Sequence, residues 1–216
     1  FGGGPSQWEH RTVLDNLGPL VNLTFVDVDG DGKEELIITN HVIDAELAGV
    51  FAIEFPDDFK QGIFITHRLA NDFPTVDPLP GKASPGGALP FRLPDDPSPL
   101  FVVAGDGNQK AYIMCRDGDG PWSWQREVLL DAGGTVCGGA ISDVDGDGYP
   151  EIFVPVYEAG EIHVYKYEQS SEAWGPLQKN SRGSTGLPQR IRKTESHDDS
   201  GCSELAMLPD LRLIRS

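Results

Sequence analysis

The chain has 216 residues, 24% of them charged, and 34 acidic against 17 basic side chains give a formal charge of −17. That length can bury a real core in one or two domains, and that charge argues against a nucleic-acid backbone or an anionic membrane as partner. No run of about twenty apolar residues occurs, so no transmembrane helix is expected.

In chain order the first expected element is an outer strand over residues 7–14, from the segment Trp8-Glu9-His10-Arg11-Thr12-Val13-Leu14-Asp15. A strand through Asn22-Leu23-Thr24 follows. This triplet is a glycosylation sequon, and it points to an extracellular, secreted setting. Next comes Asp27-Val28-Asp29-Gly30-Asp31-Gly32-Lys33-Glu34-Glu35, which returns 116 residues later as Asp143-Val144-Asp145-Gly146-Asp147-Gly148-Tyr149-Pro150-Glu151. Both stretches carry carboxylates at positions 1, 3, 5 and 9. Gly30 and Gly146 suit a tight turn, and Gly32 and Gly148 can take φ > 0 without strain.

Four acidic groups within nine residues repel one another unless a cation lies between them. A hard, oxygen-seeking ion fits. Ca²⁺ accepts 6–8 oxygens in flexible geometry, so four carboxylates, a backbone carbonyl near position 7 and a water can fill its shell. Mg²⁺ is the other ion this chemistry admits. An EF-hand begins the same way but requires a Glu at position 12, where Ile38 and Val154 stand, and both loops are followed by strands instead of helices. The remaining alternative is a pair of acidic, solvated turns.

Beyond the first loop, Glu35–Thr39, Gly49–Phe55 and Ile63–Leu69 read as strands. The link from Asn71 to Gly87 is rich in Pro and Gly and is expected on the surface. Leu100–Ala104 matches the strands that follow the acidic loops. Ahead of it, Leu93-Pro94-Asp95-Asp96-Pro97-Ser98-Pro99 cannot present the 1, 3, 5, 9 set, so no ion site is expected there. Lys110–Cys115 and Trp122–Leu130 continue the pattern. The acidic run Arg116-Asp117-Gly118-Asp119-Gly120-Pro121 between them reads as an ordinary turn. Trp124–Asp131 resembles Trp8–Asp15 at the same 116-residue offset. The second acidic loop leads into Glu151–Pro155 and then Glu161–Tyr167, whose apolar and polar residues alternate.

Short strands at regular spacing, with no helical period, predict an all-β fold. The expected architecture is a partial β-propeller of about three four-stranded blades, near residues 20–70, 86–131 and 138–168. Residues 1–174 form the blades in this reading. Residues 175–216, polar and without period, form a disordered or irregular tail.

The recurrent Asp-x-Asp-Gly-Asp-Gly-x-x-Glu between short strands resembles the FG-GAP/VCBS repeat family. The resemblance covers roughly residues 8–168 and is specific at the two loops. It implies β-propellers, commonly seven-bladed, with Ca²⁺ held between the first two strands of a blade. By position, Asp27, Asp29, Asp31, Glu35 and the Lys33 carbonyl would hold one ion. Asp143, Asp145, Asp147, Glu151 and the Tyr149 carbonyl would hold a second. Three blades do not close such a ring, so missing blades or self-association are implied, with unpaired sheet edges as the physical motive.

Two function classes follow. One is a calcium-dependent, non-catalytic module presenting loops to a glycan or a protein. The other is a fragment of a carbohydrate-active lyase, since Trp8–Glu35 is also similar to part of the propeller of fungal aldos-2-ulose dehydratases. The five histidines lack ligand spacing, and only His41 is placed to face a central channel. Trp122, Trp124, Tyr165 and Tyr167 offer either sugar stacking or core packing. No nucleophile elbow, phosphate loop or dinucleotide fingerprint is present.

Overall fold

The structure is a computed structural model that describes residues 9–76, 81–118 and 120–167, and the backbone of Leu211–Leu213. Among these residues there is no helix, so none is long and apolar enough to cross a membrane. The first sheet contains β1 (Leu20–Val26), β2 (Glu35–Asn40), β3 (Gly49–Glu54) and β4 (Ile65–Asn71). The second contains β5 (Ala88–Leu93), β6 (Asp96–Ala104), β7 (Lys110–Arg116) and β8 (Trp124–Asp131). The third contains β9 (Ala140–Ser142), β10 (Glu151–Val156) and β11 (Glu161–Tyr167). The short β12 (Leu211–Leu213) pairs along the outer edge of β11. Each sheet is an antiparallel meander with strands in sequence order, and none closes on itself.

Period-2 alternation decides which way each side chain faces. Ile37, Val50 and Ala52 of the first sheet meet Phe101, Val103, Tyr112 and Met114 of the second in one core. The opposite residues of the second sheet, Val102, Ala104, Ala111 and Ile113, pack on Ile152, Val154 and Tyr165 of the third. The far face of the first sheet, with Ile38, Phe51 and Ile53, is covered by Val13, Leu14, Leu17 and Phe64. The far face of the third sheet has no such cover among the described residues. Ile162 on it is 69% exposed.

Two expectations change. Residues 9–14 are not a strand; Val13 and Leu14 serve as an apolar cap instead. Arg11 fixes that cap by donating to the Phe59 and Gly62 carbonyls, both at 2.7 Å. Trp8 lies outside the described residues. The link after β4 is not all surface, because Phe73 is fully buried and residues 83–86 are buried with it. Its backbone is satisfied by Asn108, which donates to the Pro74 carbonyl at 2.7 Å, and by a Val42–Ser84 bridge. The Asn22 amide donates to the Ala88 carbonyl at 2.9 Å, which ties β1 to the second sheet. The expected irregular tail, apart from Leu211–Leu213, lies outside the described residues, as does Asp119.

Candidate metal centre

The chain enters the first acidic loop from β1 and leaves it into β2. The Asp27 carboxylate accepts from the Gly30 and Gly32 amides at 2.7 and 3.1 Å. Asp29 accepts from the Asp31 amide at 3.0 Å, Asp31 from the Lys33 amide at 2.7 Å, and Glu35 from the Val28 amide at 2.8 Å. The second loop, between β9 and β10, repeats all five bonds. Asp143 accepts from Gly146 and Gly148 at 2.8 and 2.9 Å, Asp145 from Asp147 at 3.2 Å, Asp147 from Tyr149 at 2.9 Å, and Glu151 from Val144 at 2.9 Å. These coils need left-handed backbone at Gly30, Gly32, Gly146 and Gly148, with φ of +84°, +89°, +77° and +95°. A side chain there would be strained.

The two loops gather the same three carboxylates. Oxygens of Asp27, Asp29 and Glu35 lie within 4.8 Å of one another, and so do those of Asp143, Asp145 and Glu151. The fourth carboxylates, Asp31 and Asp147, stand outside these sets. The side chains of Lys33 and Tyr149 turn elsewhere. The Lys33 ammonium lies 2.8 Å from Asp57, and the Tyr149 hydroxyl donates to Asp95 at 2.6 Å while its ring stacks on Tyr167. Only their carbonyls are therefore left to serve the loops.

Burial sets the electrostatics. Glu35 and Glu151, as the first residues of inner strands, are each 3% exposed. Burial pushes the Glu35 carboxyl up from its usual range. The Val28 amide opposes this, and Asp29, Asp31 and Asp27 add to it by repulsion. At Glu151, Oε1 is buried without a hydrogen-bond partner. Lys166 Nζ lies 3.5 Å away and makes no hydrogen bond to it. An orphaned carboxylate oxygen aimed among other carboxylates fits a bound cation.

Four residues that local sequence did not single out complete the picture. Lys166 of β11 reaches into the second loop, bonded to Asp145 and 2.8 Å from Asp147. Those two bonds raise the Lys166 ammonium above its ordinary range, and the Lys166 bond lowers Asp147. In the first loop the strand register sets Glu54 across from Glu35, beside a small depression that Asp31, Lys33 and Phe55 also line. Arg92 and Arg116 of the second sheet donate to the Asp27 and Val28 carbonyls.

The loop expected over residues 93–99 is shorter than its prolines suggested, because β6 already begins at Asp96 and contains Pro97 and Pro99. Pro94 and Asp95 make a two-residue turn where the other sheets have a loop, and Asp95 is given over to Tyr149. Between β7 and β8, Ser123 donates to Asp117 at 2.6 Å, while Asp119 of that connection lies outside the described residues.

The aromatic candidates serve packing. Trp122 lies flat on His67 with ring centroids 3.7 Å apart, Trp124 meets Phe101 edge-on, and Tyr165 is buried. His41, His67 and His163 sit beside three separate acids, Asp106, Glu54 and Glu161, and do not converge. No protein-family model, curated protein or solved structure matches the chain.

Proposed function

We propose that this chain is a calcium-binding β-propeller module of the FG-GAP/VCBS type, non-catalytic, which holds one ion in each acidic loop and presents loops to a glycan or a protein. The observation that carries the reading is the pair of three-carboxylate sets, each pinned by the same amides, with the Glu151 oxygen left buried and unpaired. Oxygens within 4.8 Å fit the diameter of a shell at about 2.4 Å, which favours Ca²⁺ over the tighter shell of Mg²⁺. The carboxylates and the Lys33 and Tyr149 carbonyls would be the ligands, and the ion would supply the positive charge that lets four acids share one loop.

The exposed face of the third sheet supports the expectation of further blades or self-association. An ion requirement of this kind suits an extracellular setting, where calcium is abundant. The dehydratase-like reading gains no observation, since the described histidines lie apart.

The test is thermal unfolding with and without a chelator, paired with equilibrium dialysis against calcium. At about a hundredfold excess over Kd, each site stabilises by about 2.7 kcal/mol, so two sites raise Tm by roughly 10–20 °C. Two ions per chain are expected, and Asp95→Ala should leave that number unchanged. Identical melting curves and no bound calcium would sink the reading.

A further inference from the structure

We infer that the two acidic loops are not equivalent: Lys166 is a tethered counter-cation that any divalent ion must displace from loop 143–151, whereas loop 27–35 is open to the ion directly. This rests on the calcium reading above and concerns how the two sites differ.

The difference is written in strand register. Ile152 pairs with Tyr165, so Lys166 stands opposite Glu151. Leu36 pairs with Ile53, so the matching position beside Glu35 is Glu54. One site therefore has an ammonium where the other has a carboxylate. The ammonium is engaged throughout. It bonds Asp145, lies 2.8 Å from Asp147 and 3.5 Å from Glu151, and two of those three acids belong to the converging set. In the first loop, no Lys or Arg among the described residues forms an ion pair with Asp27, Asp29, Asp31 or Glu35, and Lys33 is turned to Asp57. The Glu54 carboxylate is itself held by His67.

A lysine ammonium is a single charge with three donors, on a stem flexible enough to swing away. It can satisfy the acids partly, but it leaves Glu151 Oε1 without a hydrogen bond. A divalent ion brings twice the charge and binds oxygens at 2.3–2.6 Å. Exchange is thus feasible, with Lys166 moving out to solvent as the ion enters. Moving the ammonium out forfeits its attraction to these acids, about 1 kcal/mol per pair even in solvent-like screening, which lowers the ion's affinity by at least about tenfold. The second loop should consequently bind calcium at least about tenfold more weakly than the first and fill after it.

Calorimetric titration of the whole chain with calcium tests this. The wild type should show a tight and a weak site. Asp29→Ala should abolish the tight one and Asp145→Ala the weak one. Lys166→Met should strengthen the weak site at least about tenfold without altering the tight one, and Lys60→Met, on the distant Glu9 pair, should change neither. The reciprocal change, Glu54→Lys, should weaken the tight site by a similar factor, with Glu54→Gln as the control for losing the His67 pair. The reciprocal change decides the matter even if Lys166→Met does not fold. Two sites of equal affinity, unmoved by either charge change, would overturn the inference while leaving the calcium reading intact. No calcium binding in any variant would overturn both.

Discussion

Val28 and Val144 occupy the same position in the two acidic loops, and their backbones make the same bond, donating to Glu35 and Glu151 at 2.8 and 2.9 Å. Their side chains differ completely. Val28 is 0% exposed, packed between the first and second sheets, while Val144 is 63% exposed on the uncovered face of the third. Truncation to Ala is therefore a matched test of what covers each loop. Val28→Ala removes two methyl groups from a filled core, about 1.5 kcal/mol of transfer free energy, and the cavity raises this to roughly 2–3 kcal/mol. Val144→Ala gives up only a third or so of that burial and leaves no cavity, so about 0.5 kcal/mol is expected. Urea unfolding followed by tryptophan fluorescence reads the difference. At a slope near 2 kcal/mol/M, the Val28 variant should shift its midpoint by about 1 M and the Val144 variant by a few tenths at most. The titration is run at several protein concentrations. An equal loss at both positions in dilute solution would refute the uncovered face, and a Val144 loss that grows with concentration would mean that a second copy covers it.

Asn40, 1% exposed at the end of β2, donates to the Leu17 and Leu47 carbonyls and accepts from the Gly49 amide; Asn40→Ala should cost about 3–5 kcal/mol, read as a lower urea midpoint. Arg126 donates to the Asn71 and Asp72 carbonyls with its guanidinium 4.1 Å from the Phe73 ring centroid, and Arg126→Met should cost about 2 kcal/mol by the same assay. The Tyr149 hydroxyl, bonded to Asp95, is pushed up to about 12. Because the folded value lies above the unfolded one, near 10, the bond's stabilisation is complete below pH 10 and fades as pH rises through 12. Asp95→Asn should lower the Tyr149 titration toward 10 in ultraviolet absorbance; an unchanged titration would show that Asp95 is not the cause.

What was legible in the sequence was local. Alternation placed β11, the paired glycines placed the coil of each acidic loop, and the proline-rich run 93–99 marked a turn, though only Pro94 and Asp95 form it while Pro97 and Pro99 lie in β6. The conflict at residues 9–14 arose because the segment matches Trp124–Asp131, which is β8, whereas Val13 and Leu14 instead cover the apolar face of Ile38, Phe51 and Ile53. Likewise, Pro and Gly in the link after β4 suggested surface, yet Phe73 had a core to enter. The arrival of Lys166, Glu54, Arg92 and Arg116 at the loops depends on strand register and on how one sheet lies against the next. No window of sequence around Asp27 or Asp143 contains that information.

The two guanidinium bonds to the first loop carry a consequence for mechanics. Arg92 and Arg116 hold the carbonyls of Asp27 and Val28 from the neighbouring sheet, so the coil that gathers the carboxylates is also part of the joint between sheets. Whatever orders that coil tightens the joint, and whatever pries the joint apart loosens the coil by the same free energy, since linkage runs equally in both directions. Under the calcium reading proposed above, a ligand or a pulling force that separated the first two sheets would therefore weaken the first loop's hold on its ion. By the same linkage, an ion bound in that loop would resist separation of the two sheets. The second loop, with no such arginines from a following sheet among the described residues, would do nothing of the kind.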